Sequence, residues 1–169
     1  MKEFRKISVI GLGLIASSIC LTLRQKDPTI KLVGYDKDKV VRNRAKKIGL
    51  CKVESNLDNA VSGSQLIILC VPVGQMQAVT QKLKKIIEPG TTITDVGSVK
   101  LSVIEEIESN IESVGGKYVP SHPIAGTERS GPDAGYAGLF EGRWCILTPT
   151  KKTNKKALNS LETFWKFLG

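Results

Sequence analysis

One imidazole is available to this chain, and its setting decides what it could do. His122 is the only histidine among 169 residues, and it heads the stretch His-Pro-Ile-Ala-Gly-Thr-Glu at 122–128. Imidazole titrates near neutrality, so it can take or return a proton in a hydride-transfer reaction. Ser98, in Asp-Val-Gly-Ser-Val-Lys at 95–100, reads either as a helix N-cap or as a hydroxyl that orients His122 or a substrate. Lys100 reads as a charge at a helix start or as a surface residue. Glu128 reads as a solvated loop residue or as a charge that tunes the imidazole.

A second pattern stands near the start: Gly11, Gly13 and Ala16 in Gly-Leu-Gly-Leu-Ile-Ala. Gly11 permits a tight strand-to-helix turn, Gly13 lets a pyrophosphate approach the backbone, and Ala16 suits close helix–strand packing. The free N–H groups of a helix start attract phosphate. Gly11, Leu12, Gly13, Leu14 and Ile15 are therefore candidate cofactor-binding residues. Asp36 follows Ala16 by 20 residues, at the end of a second apolar strand, where a carboxylate can accept hydrogen bonds from a ribose. Val71 and Pro72, where a continuous apolar run stops, join the same candidate site. Asp36 favours NAD over NADP, because a carboxylate repels a 2′-phosphate; Lys37 and Lys39 act against that preference.

The elements that must position these groups alternate. Strands are expected at 7–10, 31–35, 50–53, 65–71, 91–96, 118–120 and 144–147. Helices are expected at 14–23, at 37–48 with Val40, Val41, Ala45 and Ile48 on one side, briefly from 55 or 56 to about 62, and at 75–87. A further helix follows Gly97-Ser98, with Leu101, Ile104, Ile107 and Ile111 inward, and a last one aligns Ala157, Leu158, Leu161, Trp165 and Leu168. This alternation implies one α/β domain over 1–169: a Rossmann-type, doubly wound, mainly parallel sheet with helices on both faces. Ligands of such sheets bind beyond the C-terminal strand ends. The Gly- and Pro-rich stretch 121–141 reads as a loop long enough to suggest function.

Composition narrows the classes. With 41% hydrophobic and 24% charged residues the chain is ordinary for a globular protein. No apolar run approaches the roughly 20 residues that span a bilayer. The first strand begins almost at once, which leaves no room for a signal peptide and points to the cytoplasm. Cys20, Cys51, Cys70 and Cys145 are scattered without a C-x-x-C pair, and read as core thiols rather than a metal site. The net charge of +9 does not indicate nucleic acid: the lysines are spread over helix faces and one loop, and aromatics at 5% offer no stacking platform. The charge can attract an anionic cofactor and substrate.

Gly-Leu-Gly-Leu-Ile-Ala-Ser-Ser (11–18), Asp-Val-Gly-Ser-Val-Lys (95–100), His-Pro-Ile-Ala-Gly-Thr-Glu-Arg-Ser-Gly (122–131), Leu-Phe (139–140) and Ile-Leu-Thr-Pro (146–149) resemble the prephenate/arogenate dehydrogenase family of tyrosine biosynthesis. The resemblance covers essentially the whole chain, and the His-Pro-x-Ala-Gly-Thr-Glu block is its specific part. It implies a nicotinamide-dependent oxidative decarboxylation of a small substrate, prephenate or arogenate. In it His122 would bond the ring hydroxyl and assist its deprotonation, Ser98 would support that contact, and Thr127 and Glu128 would lie near the substrate. The family usually has Gly-Gly where this chain has Ala16-Ser17, whose added side chains are expected to narrow the helix–sheet contact. The family also carries a second, helical domain that supplies a carboxylate-gripping arginine and forms a homodimer. That domain is missing from this sequence, whose last helix runs into Leu168-Gly169, so a fragment that binds cofactor better than it catalyses is expected. The competing expectations are an isolated dinucleotide-binding module without catalysis, and another two-domain oxidoreductase of the 6-phosphogluconate-dehydrogenase type.

Overall fold

A computed structural model describes residues 3–169, the side chains of Ser102 and Glu106 excepted. Its main sheet contains β1 (Lys6–Ile10), β2 (Lys31–Tyr35), β3 (Lys52–Val53), β4 (Leu66–Leu69), β5 (Thr92–Asp95) and β6 (Lys117–Tyr118), in the order β3-β2-β1-β4-β5-β6. Every pairing in it is parallel. The chain winds one way from β1 to β3 and the other way from β4 to β6, so the order reverses between β1 and β4. This is the Rossmann arrangement, and the crevice at that reversal is where such sheets bind ligands.

The helices are α1 (Leu14–Lys26), α2 (Lys39–Lys47), α3 (Leu57–Val61), α4 (Val73–Leu83), α5 (Leu101–Glu112) and α6 (Lys155–Leu168). They cover both faces of the sheet, which is why β4 is apolar at every position. Leu66 and Ile68 join the core built with α1 and α6, while Ile67 and Leu69 join the core built with α4 and α5. A ring cluster fixes α6: the centroids of Phe164 and Trp165 are 5.4 Å apart, and those of Phe140 and Trp165 are 5.6 Å apart. Ser8 is the polar exception inside β1. Its hydroxyl donates to the Ala60 carbonyl at 2.5 Å and shares a hydrogen bond with Ser64 Oγ at 2.6 Å, which satisfies it in the dry interior. No helix among the described residues is long and apolar enough to cross a membrane.

The structure differs from the sequence expectations in several places. The expected loop at 121–141 begins as a strand, β7 (Ser121–Pro123), which pairs antiparallel with β8 (Cys145–Leu147) in a separate two-stranded sheet. Three residues were too short a run to show alternation. In α5 the fully buried positions are Val103, Ile107 and Ile111, four apart, Ile104 packs half-buried against the same core, and Leu101 is 78% exposed. In α2, Val40 is 74% exposed in the first turn, beside the Asp38 cap that accepts its N–H at 2.7 Å. Ser98 is not an N-cap: α5 starts at Leu101, and Lys100 holds the cap position.

The rest of the 121–141 stretch is a strap across α1 and α2. It carries a 3₁₀ turn at Pro132–Ala134 and lies so close to α1 that a Cβ on Gly135 would sit 2.3 Å from Ser17 Cβ. The Tyr136 N–H donates to Ser18 Oγ at 3.2 Å and the Gly138 N–H to Thr22 Oγ1 at 3.4 Å. Arg44 Nε donates to the Asp133 carboxylate at 2.8 Å, tying the strap to α2. The small residues Ser17 and Ser18 thus give the strap backbone its seat; Ser17 does not narrow the helix–sheet contact but fills the space beneath Gly135.

Three groups near the edge of the sheet resist ionisation. Burial, and then the Asp95 carboxylate, push the Cys70 thiol and the Tyr118 phenol far above their ordinary 9.0 and 10.0. Burial pushes the Cys145 thiol up to about 12. An unfolded chain releases these protons first, so above its ordinary thiol value it binds fewer protons than the folded chain, and stability falls as pH rises. The urea midpoint is expected to drop steadily above about pH 9; a constant midpoint up to about pH 10.5 would contradict the protection of these three groups.

Candidate functional site

A groove of about 520 Å³ opens at the C-terminal ends of β1, β2 and β4, where the strand order reverses. Gly11, Leu12 and Gly13 form its floor, Tyr35 and Asp36 stand on one side, and Val71, Pro72 and Gln75 on the other. Gly11 has φ +90°, and a Cβ there would come within 2.8 Å of the Cys70 carbonyl. Its role is the turn itself. A Cβ on Gly13 would meet nothing within 4 Å, so the backbone there faces open space that a ligand can enter. Leu14 and Ile15 do not line the groove; they pack half-buried against the core, because α1 has by then turned them inward.

Leu12 enters the site by its backbone only, since its side chain is fully buried beneath Gly34. Its N–H donates to Asp36 Oδ2 at 2.8 Å, and the Asp38 N–H donates to Asp36 Oδ1 at 2.9 Å. A carboxylate offers about four acceptor positions. Two are used, and the remainder face the groove that a ribose would share. Arg42, which the sequence reading passed over, donates to the carbonyls of Asp36 at 2.6 Å and Lys37 at 3.0 Å and lies 5.7 Å from the centre of the Tyr35 ring. Its cation stands beside Asp36 without occupying the carboxylate. Nothing in the local pattern distinguishes it from the other basic residues of α2.

The second half of the site begins at the end of β5. Asp95 is fully buried and accepts from Lys100 Nζ, from the Tyr118 hydroxyl at 2.7 Å, from the Gly97 N–H at 2.9 Å and from the Ser121 N–H at 3.4 Å. Lys100 Nζ also donates to the Ser121 carbonyl at 2.7 Å. The Ser121 hydroxyl donates to the Asp95 carbonyl at 2.6 Å and bonds Thr94 Oγ1 at 2.9 Å. A buried carboxylate persists only when it is paired and hydrogen-bonded in this way. The network holds β7 beyond the C-terminal end of β5, and His122 is the next residue, half-buried, opposite Ile146 of β8. Asp95 and Tyr118 were not foreseen as site residues; a carboxylate ending a buried strand five positions before a lysine was the available signal.

The other candidates are exposed. Ser98 is exposed, and among the described residues no hydrogen bond joins it to His122. Thr127 Oγ1 accepts the Arg129 N–H at 3.2 Å, and Thr127 and Glu128 are both exposed. Along the sheet edge the order is therefore Asp36 on β2, Gly11–Gly13 after β1, Val71 and Pro72 after β4, and the Asp95 network with His122 after β5. Neighbouring strands lie about 4.8 Å apart, so the row runs about 14 Å from β2 to β5.

Comparison with known proteins settles the family. A family model for the nucleotide-binding domain of prephenate dehydrogenase matches residues 19–169. The chain belongs to this family. Cyclohexadienyl dehydrogenase of Zymomonas mobilis is 39% identical over 170 residues, which is 100% of this chain and 57% of that protein. The crystal structure of prephenate dehydrogenase from Aquifex aeolicus in complex with hydroxyphenyl propionate and NAD+ superimposes with a TM-score of 0.89 at 30% identity, covering 98% of this chain and 57% of that one. The arogenate dehydrogenase of Synechocystis gives 0.88 at 29% identity, covering 97% of this chain and 57% of its own. The chain spans about half the length of the curated relatives it matches.

Two glycine variants separate the parts of the floor. Gly11→Ala forces a side chain into a left-handed conformation and against the β4 backbone, and should cost more than about 1 kcal/mol of stability. Gly13→Ala places its methyl in open space, so the melting temperature should hold while nucleotide affinity falls. Thermal unfolding and calorimetric titration of both variants check the assignment; equal loss of stability in both would refute it.

Proposed function

We propose that this chain serves the nicotinamide-dependent oxidative decarboxylation of prephenate to 4-hydroxyphenylpyruvate, or of arogenate to tyrosine, in the cytoplasm, with hydride passing to NAD. The observation that carries the reading is the row along one sheet edge: a ribose-type carboxylate, an open glycine turn and a histidine held by a buried network. The open space over Gly13 and the spare acceptor positions of Asp36 fit a dinucleotide.

When bound, nicotinamide accepts the hydride. The chain supplies the rest. Gly11 and Gly13 seat the pyrophosphate, and the α1 N-terminus favours its charge. Asp36 accepts from the ribose and repels a 2′-phosphate. A ring nitrogen of His122 takes the proton of the substrate hydroxyl as the C–H bond on the same carbon gives up its hydride. The bond to the ring carboxylate then breaks, carbon dioxide leaves, and its electron pair aromatises the ring as the proton returns to the oxygen. Ser98, Thr127 and Glu128 contact the substrate in this reading. A second reading, a dinucleotide-binding module without catalysis, is favoured by one observation: those three side chains are exposed and not joined to His122.

Titration with both dinucleotides should show tighter binding of NAD; equal or tighter NADP binding overturns the role of Asp36. In the full-length enzyme, assayed with prephenate, arogenate and NAD, His122→Asn should lower turnover by about 10²–10⁴-fold with NAD affinity unchanged. Full turnover in that variant removes His122 from the reaction, and no turnover in the unaltered chain supports the binding module.

A further inference from the structure

Lys100 is 15% exposed at its side chain and touches two elements at once. One contact is the ion pair with Asp95. The other is the 2.7 Å bond to the Ser121 carbonyl. Compensation of Asp95 does not require the second. The Asp95 carboxylate already has donors in the Tyr118 hydroxyl, the Gly97 N–H and the Ser121 N–H, and a bond to a neutral carbonyl adds nothing to its neutralisation.

That carbonyl belongs to the peptide unit that ends in the N–H of His122. The unit is planar, so fixing its oxygen fixes the plane and the direction in which the chain leaves toward the His122 Cα. The other end of the unit is also held, because His122 pairs with Ile146 of β8 in the antiparallel ladder. The peptide entering His122 is held at both ends, by an ammonium on one side and by the pairing with β8 on the other. The Ser121 side chain is spent on Asp95 and Thr94, so its own position is equally determined.

We infer that Lys100 is a positioning residue for His122, acting through the Ser121–His122 peptide, with the Asp95 ion pair holding its ammonium in place. The inference rests on the proposed use of His122 in proton transfer. It assigns to Lys100 no contact with substrate or cofactor. A misplacement of the reacting group by about 1 Å can cost about 10²-fold in rate, so a clamp of this kind matters to catalysis without taking part in it.

The chain's single histidine makes the test direct. With no affinity tag of histidines present, long-range ¹H–¹⁵N spectra of the labelled chain report His122 alone. Unaltered protein should give one set of imidazole signals. In Lys100→Met the signals should move and broaden or divide into several sets, while NAD affinity stays unchanged. Removing Lys100 alone leaves the buried Asp95 charge uncompensated, so the double variant Asp95→Asn/Lys100→Met, which removes both charges, is measured beside it and should show the same change. A purely stabilising role would lower the melting temperature and leave the imidazole signals as in the unaltered chain; that result in either folded variant overturns the inference. Failure of the proposed catalytic use of His122 would show separately, as full turnover in His122→Asn.

Discussion

The structure depends most on a carboxylate that has no access to water. Asp95 ends β5 at full burial, and a bare charge in that position would be untenable. Its neighbours are arranged around it: an ammonium and a backbone N–H come from residues 97–100, and a phenol hydroxyl and a second backbone N–H from residues 118–121. Removing one partner of such a pair typically costs about 3–5 kcal/mol, whereas the intact pair contributes little net stability. What it contributes here is registry. The start of α5, the end of β6 and the start of β7 are held together because each reaches the same two oxygens.

The other half of the edge is governed by how closely three glycines approach their neighbours. Gly11 meets the β4 backbone, Gly34 meets Leu12 and Cys51, and Gly135 meets α1, each at a distance that excludes a side chain. These contacts draw β1, β2, α1 and the strap together under the groove. The strap brings Gly131 to the groove wall, so the floor is framed both by the sheet and by residues over a hundred positions later in the chain. Arg44 and Asp133 fasten that frame at the surface, where screening by water limits what an ion pair contributes.

The fold was legible in the sequence wherever an element was long or its apolar pattern complete. The parallel sheet, the glycine turn and Asp36 at the close of β2 follow from the apolar runs of the longer strands and one fingerprint. Two-residue and three-residue strands such as β6 and β7 carry too little pattern to show their limits or partners, and β7 was read as loop for that reason. Leu101 and Val40 were placed inward because hydrophobicity was read without the helix start that sets the phase. In the candidate site, the residues with a recognisable type, His122 and Asp36, were singled out by the sequence, and the structure sets both along the C-terminal sheet edge. Those whose part depends on burial, Asp95, Tyr118 and Ser121, were not singled out, since a sequence does not show which polar group will lose its water. The sequence leaves the role of Lys100 open, because its length alone does not reveal that it reaches back across the strand ends.

The two backbone bonds of Asp36 bear on how a nucleotide meets this domain. The Leu12 and Asp38 N–H groups already fasten the turn and the end of β2 to one carboxylate. Ordering of that loop is completed during folding rather than on arrival of the ligand, so association carries little conformational entropy loss there. A preformed cradle of this kind favours encounter rates set by diffusion and by the basic charge of the molecule, with differences in affinity among dinucleotides expressed mainly as differences in residence time.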